Sequence, residues 1–425
     1  MNTRQILLLR GFYENQLTNQ ILSFWLPRCL DENNGGFVNC FTNRGDKLVS
    51  HDKYTWSQGR FVWMFSRLST TKAPIFNQAQ REEFLFLARN GADFLMKHCL
   101  LLGSPRRCTF LMKADGTPKY VDGCDTLDMS IYADCFVVLG LSAYAVAAKD
   151  KAAYDFAKAL YQSIRARFAS RDFNTLPYPL SPGYRQHGES MIMSNVTKEM
   201  HDAAAVMDKA FLAELEENLA FYTSDILEHF TDENNVIHEI ITRDNEFFPD
   251  LLGQQANPGH TIEDMWFMID AADILGKPEM VEKAAAIAKK ALEIGWDEEF
   301  GGILHYASPK GGRPVGDPGA TADEPMCKQL SGWVDKLWWI HSEALYTTLL
   351  CAFRTGDNAF IAWHDKVFDY TFSVFPNPDP EVREWIQILT RDGKPQDKVV
   401  ALPVKDPYHI TRNLLLIVEL LYEHS

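Results

Sequence analysis

The sequence predicts an all-α fold: a closed ring of about twelve paired helices with short β-hairpins at one rim. Two observations carry this. Apolar residues recur at helical spacing through most of the chain, in segments separated by Asn, Asp and Gly turns. The segments also repeat: at intervals of roughly 60–80 residues, two helices are followed by a turn and a short hairpin. The turns resemble one another even where the helices do not, as in Glu32-Asn33-Asn34-Gly35-Gly36-Phe37 and Glu298-Glu299-Phe300-Gly301-Gly302-Ile303. A helix pair needs neighbours to bury its inner face. An open solenoid supplies them; a closed ring supplies them more compactly. No linker, low-complexity run or charge block divides the 425 residues, so a single domain over 1–425 is expected.

Taken in order, the first helix spans Thr3 to Trp25, with Ile6, Leu9, Phe12, Leu17, Ile21 and Phe24 in register. Asp31 to Gly36 is a turn and Phe37 to Phe41 a short strand. Helices follow at Trp56–Leu68 and Glu82–Cys99, and Thr109–Met112 with Asp115-Gly116 forms half a hairpin. Helical patterns then cover Leu127–Ala148 and Lys151–Phe168. The segment Asn174–Gly188 is irregular and bears proline, as a loop over a site would. Helices resume at Ser190–Met207 and Lys209–His229, and strand-like residues appear around Val236, His238 and Ile240. Pro258 and Pro278 open two more helices, and Lys328–Arg354 and Asn358–Phe375 supply another pair. Trp385–Leu389 with Asp392-Gly393 is a hairpin signal, and the last helix starts at Pro407.

Composition narrows the function classes. The net charge of −15 argues against nucleic acid or an anionic membrane as partner. The eight cysteines form no CxxC pair and fit reduced, buried thiols of a cytoplasmic protein. There is no signal-peptide pattern, and no apolar run is expected to approach the ~18 residues of a membrane span. Dinucleotide, phosphate-loop, zinc-protease, EF-hand and serine-hydrolase motifs are all missing, so no metal site and no cofactor fingerprint can be argued.

The candidate chemistry lies in two similar helix starts. In Asn257-Pro258-Gly259-His260, the asparagine suits the cap, the proline suits the first helical position, and the histidine falls in the first turn. Asp406-Pro407-Tyr408-His409 repeats that grammar. A neutral imidazole at a helix N-terminus can act as a base, and an anion formed there is stabilised. Structural hydrogen bonds at a helix end are the plain alternative for each histidine alone. Glu263 lies three residues after His260 and shares its face. Arg60 interrupts an aromatic helix start that includes Trp56; it is either paired or aimed into a cavity. Trp339, His341 and Glu343 lie on a further helix, where a core role is an equal alternative.

These residues resemble the N-acylglucosamine 2-epimerase family, also called the renin-binding-protein family, from about Leu17 to Leu421. Four motifs carry the resemblance, in the family's order. They are Gln58-Gly59-Arg60 with Trp56 and Val62-Trp63-Met64; Asn257-Pro258-Gly259-His260 with Glu263 and Trp266; Trp338-Trp339 with His341-Ser342-Glu343; and Tyr408-His409-Ile410-Thr411-Arg412. The resemblance implies an (α/α)6 barrel, a homodimer, and inversion at C2 of an open-chain aldose through an enediolate. By motif, His260 and His409 exchange the C2 proton, Arg60 stabilises the enediolate, and Glu263 orients His260 or a hydroxyl. Trp56, Trp339, His341, Glu343 and Asn195 would contact substrate. The chemistry requires no cofactor, and a nucleotide such as ATP is implied only as an activator. Met191-Ile192-Met193-Ser194-Asn195 resembles the N-acetylglucosamine enzymes. Val404 stands where cellobiose 2-epimerases carry tryptophan, which favours a monosaccharide. His187 lies near the position of a further histidine found in cellobiose epimerases and aldose–ketose isomerases. The expected substrates are N-acetylglucosamine and N-acetylmannosamine; the alternative is an aldose–ketose isomerase of mannose-like sugars. A hydrolase using Glu263 and Glu343 leaves both histidines idle, and a binding module does not require them.

Overall fold

The computed structural model describes residues 1–317 and 319–425 and is mostly α-helical. The helices are α1 (Thr3–Asn15), α2 (Leu22–Trp25), α3 (Thr55–Thr70), α4 (Gln78–His98), α5 (Ile131–Ala148), α6 (Lys151–Ser170) and α7 (His187–Met207). They continue as α8 (Leu212–Asp225), α9 (Pro258–Leu275), α10 (Glu279–Gly295), α11 (Pro325–Gln329), α12 (Trp338–Thr355), α13 (Ala359–Val374) and α14 (Tyr408–Glu423). Between α1 and α2 the chain runs as a π-helical segment, Gln16–Ile21, so the expected first helix is continuous but wider in its middle turn.

The chain forms two compact units. One comprises Leu7–Pro177, Val196–Leu215 and Val399–Ser425. In it, α3 packs on α4, α5 and α14, and α5 packs on α6. Helix α4 begins with a reciprocal capping box, the Asn77 side chain accepting from the Gln80 N–H while Gln80 accepts from the Asn77 N–H. Helix α5 overturns one expectation. It is 18 residues long with a mean hydropathy of 1.8, long and apolar enough to cross a membrane, and 83% of it is buried. A helix apolar on all faces is what the centre of a packed helical unit demands.

The other unit comprises Met1–Ile6, Tyr178–Asn195 and Glu216–Lys398. Here α9 packs on α10 and α12, and α12 packs on α13. Thr347 on α12 donates its hydroxyl to the Ile262 carbonyl of α9 at 3.0 Å. The periodic run Lys328–Arg354 is not one helix. It breaks after α11 into a 3₁₀ turn, Leu330–Gly332, and a short strand before α12 begins at Trp338. The strand pairs with Ile388–Leu389, and the buried Lys336 ammonium on it is satisfied by Asp297 and the Gly301 and Gly302 carbonyls.

The strands are short and antiparallel: β1 (Cys40–Phe41), β2 (Leu48–Ser50), β3 (Lys53–Tyr54), β4 (Leu111–Met112), β5 (Pro118–Lys119), β6 (Tyr184–Gln186), β7 (Ile240–Thr242), β8 (Lys336–Leu337) and β9 (Ile388–Leu389). The Asp115-Gly116 turn joins β4 to β5 as expected. The segment Asn174–Gly188, expected to be a loop, instead supplies β6, which pairs with β7. Strand β9 pairs with β8 rather than only across Asp392-Gly393.

Candidate active site

In the unit holding α9, the cap forms as its sequence predicts. Asn257 accepts from the His260 N–H at 3.1 Å, and Pro258 occupies the first turn. Gly259 is required by contact: a Cβ there would lie 2.5 Å from the Trp339 ring and 2.6 Å from Ile340. This close approach sets His260 beside Trp339, their ring centroids 5.5 Å apart. His260 is partly exposed, its side chain retaining 25% accessibility. Its Nδ1 lies 2.9 Å from Oε1 of Glu239, a fully buried carboxylate that sequence reasoning did not single out. Glu263 is buried on the same helix. Glu343 is buried on α12 and accepts from the Trp266 indole N–H at 2.9 Å. Asn195 is buried on α7.

His341 takes a different place from the one expected. Its Nδ1 lies 2.7 Å from the Leu337 carbonyl, and its Nε2 accepts from the Ile303 N–H at 2.9 Å. Both ring nitrogens are therefore engaged by backbone, and burial pushes the imidazole down to about 3, against the bond to Leu337. A neutral ring with Nδ1–H donating satisfies both contacts. His187 is also wholly buried, with Nε2 2.8 Å from Asp264 and Nδ1 3.8 Å from Glu239. Burial disfavours its charge, yet the bond to Asp264 and the nearby Glu239 carboxylate prevail and raise it to about 9. His305, absent from the sequence-based set, is buried too. Its burial, then the proximity of His260 and Lys398, push it down to about 3, so it stays a neutral imidazole.

In the unit holding α3, Gly59 and Gly140 let α3 and α5 meet backbone to backbone. A Cβ on Gly59 would lie 2.1 Å from the Phe136 carbonyl oxygen, and one on Gly140 2.4 Å from that of Gly59. Arg60 emerges from this crossing. Its guanidinium lies over Phe136, Tyr408 and Trp56, at 4.2, 5.0 and 5.2 Å from the ring centroids. It reaches His409 Nε2 at 3.2 Å and Asp406 at 3.4 Å. Arg412, one turn further along α14, lies 3.4 Å from His409 Nδ1 and donates to the Tyr408 hydroxyl at 2.9 Å. The start of α14 departs from the expected cap: Pro407 occupies the cap position, and Asp406, one residue earlier, accepts from the Tyr408 N–H at 3.4 Å. The other oxygen of the Asp406 carboxylate pairs with Arg60, so one side chain faces both the helix start and a partly buried cation. The approach to α14 is also tied down by Asn39, which exchanges bonds with the Lys405 backbone at 2.8 and 3.1 Å and donates to Ser57 on α3 at 3.1 Å.

Each unit thus presents an imidazole at a helix start, immediately supported by a fixed charge: Glu239 for His260, Arg60 for His409. Imidazoles so held can exchange protons with a bound molecule, a guanidinium can stabilise a developing oxyanion, and the indoles offer apolar faces.

Residues 35–412 match the model of the N-acylglucosamine 2-epimerase (GlcNAc 2-epimerase) family. The N-acylglucosamine 2-epimerase of Bos taurus is 29% identical over 95% of this chain and 89% of its own length. A cellobiose 2-epimerase of Ruminococcus albus is 23% identical over 93% of this chain and 94% of its own length. Among solved structures, a sugar epimerase from a ruminal bacterium superposes with a TM-score of 0.77 at 19% identity, covering 96% of this chain and 98% of its own. The likeness in fold is that of the (α/α)6 barrel.

Proposed function

Because the chain belongs to the N-acylglucosamine 2-epimerase family, whose members are isomerases, we propose that it inverts C2 of a free aldose through an enediolate, with N-acetylglucosamine and N-acetylmannosamine as the epimer pair. The observation that carries the reading is the contact of Arg60 with His409 Nε2 at 3.2 Å. It puts a permanent cation within one hydrogen bond of an imidazole. An enediolate needs both: its C2 proton must leave, and the negative charge passed to the C1 oxygen must be stabilised. In this reading His260 and His409 serve opposite faces of C2, one removing the proton and the other returning it. Arg60 stabilises the enediolate oxygen, Glu263 orients His260 or a hydroxyl, and Glu343 holds sugar hydroxyls. Trp56 and Trp339 supply apolar faces, and Asn195 a polar contact. His341 is left out, because backbone already holds both its nitrogens. The protein side chains carry the proton transfers; a nucleotide such as ATP enters only as an activator, which addition of ATP to the assay checks.

The test is incubation with a panel of free sugars in deuterated water, followed by NMR at C1 and C2. Deuterium at C2 with formation of the 2-epimer is expected. Deuterium at C1 with formation of a ketose would identify an aldose–ketose isomerase instead. A reducing sugar released from a glycoside would identify a hydrolase.

A further inference from the structure

Glu239 is a carboxylate held in the interior by its own backbone. Its N–H donates to the Gln255 carbonyl at 3.0 Å, and its carbonyl accepts from the His187 N–H at 2.9 Å. From it a line of ionisable groups runs inward. His260 Nδ1 lies 2.9 Å from Glu239 Oε1, Glu239 Oε2 lies 3.8 Å from His187 Nδ1, and His187 Nε2 lies 2.8 Å from Asp264 Oδ2. Side-chain exposure falls along the line from 25% at His260 to 3% at Glu239 and to zero at His187 and Asp264. His260 and Asp264 sit one turn apart on α9, so the same helix holds both ends of the array. A buried carboxylate without a partner is costly, and here a buried imidazole between two carboxylates supplies the compensating charge.

We propose that Glu239 is the positioning residue of His260. By accepting from Nδ1–H it selects the tautomer whose Nε2 bears the lone pair, while His187 and Asp264 keep the Glu239 carboxylate ionised. The inference rests on the C2 chemistry proposed above. In the step, the C2–H bond breaks and an Nε2–H bond forms. The electron pair of the broken bond becomes the C1–C2 double bond of the enediolate, and the carbonyl π pair moves to the C1 oxygen. Glu239 keeps its charge throughout and faces the imidazolium that results. A carboxylate can only accept hydrogen bonds, so an ionised Glu239 leaves His260 no other tautomer in this geometry. The direction of its ionisation agrees: burial would raise it, but His260, by proximity and by its bond, and the nearby His187 hold it down at about 2. Tyr306, His305 and, beyond His305, Lys398 complete the ionisable surroundings.

The experiment compares wild type with Glu239→Gln and Glu239→Asp. Each purified epimer is placed in deuterated water and the initial loss of its C2 proton is followed. In parallel, nitrogen-15 NMR of histidine-labelled protein reads the His260 tautomer, its signal assigned by its loss in His260→Asn. Wild-type His260 should be protonated at Nδ1. Glu239→Gln should slow exchange from the epimer served by His260 at least ~100-fold in kcat, leaving KM and exchange from the other epimer within about threefold, with Glu239→Asp in between. Equal loss from both epimers, or no loss with an unchanged tautomer, would overturn the proposal. If Glu239→Gln does not fold, the wild-type spectrum decides: a proton on Nε2 rejects the inference. Wild-type protein that exchanges no free aldose refutes the proposed function instead, and the tautomer measurement still tests the role of Glu239 by itself.

Discussion

His260 and His409 have opposite nearest neighbours. A buried carboxylate lies against one, and two guanidiniums flank the other. The two motifs look alike in sequence, yet the charges that fall beside them come from distant residues: Glu239 is 21 positions from His260, and Arg60 is 349 from His409. On the proposed mechanism, His260→Asn and His409→Asn each lower kcat by at least ~100-fold, and the double variant loses little more than the worse single one. Near-normal kcat in either single variant rejects that assignment. A second residue-scale outcome concerns pH. His187 is raised to about 9 in the folded protein and returns to its ordinary 6.5 when unfolded. Between those values the folded state holds a proton that the unfolded state lacks, so stability falls as pH rises. This contribution is complete below pH 6.5 and lost by about pH 9. Denaturation followed from pH 6.5 to 8 should show a negative slope, at most about 1.4 kcal/mol per pH unit from this one group, that flattens in His187→Gln. The window stops at 8 because Lys336, pushed down to about 8 by burial against the attraction of Asp297, acts in the opposite direction above it.

At the scale of elements, two parts of the chain reuse one construction. In the first, Lys53 donates to Asp31 and to the Gly35 carbonyl, and the Gln58 side chain pairs with the Phe37 backbone through two 2.8 Å bonds. In the second, Lys336 donates to Asp297 and to the Gly301 carbonyl, and His341 accepts from Ile303. The spacing is the same, so His341 is the counterpart of Gln58, Trp339 of Trp56, and Glu343 of Arg60. The similarity of the two Gly-Gly turns was legible in the sequence; that His341 accepts from the backbone of the turn was not, because its partner is a backbone N–H. Removing one member of a buried ion pair strands the other, so Lys53→Met should cost about 3–5 kcal/mol in denaturant unfolding, and Lys336→Met should cost less, because Asp297 keeps both bonds from Arg391. The glycines before Arg60 and His260 make a related demand. Gly59→Ala and Gly259→Ala should each lower stability by at least ~1–3 kcal/mol, and Gly59→Ala should be the worse. The Phe136 carbonyl that it meets is backbone, whereas the Trp339 and Ile340 side chains can shift. Equal denaturation midpoints for wild type and either variant would contradict the packing argument.

For the whole molecule, we propose that the chain acts as one catalytic domain. Helix α7 gives its first residues, to Asn195, to one compact unit and continues from Val196 in the other, so neither unit has a complete chain segment of its own there. A single cooperative unfolding transition, coincident by circular dichroism and tryptophan fluorescence, is expected; two resolved transitions would reject it. Substrate size belongs to this scale as well. Val404 lacks the broad ring on which a second sugar would stack, so kcat/KM for N-acetylmannosamine should exceed that for cellobiose, and the reverse order would reject the monosaccharide reading. The sequence by itself determined the helical class, the repeat of helix pair and turn, the Asn257 cap, and the motifs that identify the family. These are local or periodic properties, written in the spacing of apolar residues and in cap and turn chemistry. Only the tertiary structure decided that Lys328–Arg354 is broken, that Asp406 pairs with Arg60 while Pro407 takes the cap position of α14, and that Glu239 and His187 stand behind His260. Those outcomes depend on where buried charges find partners far along the chain, and residue spacing carries no information about such partners.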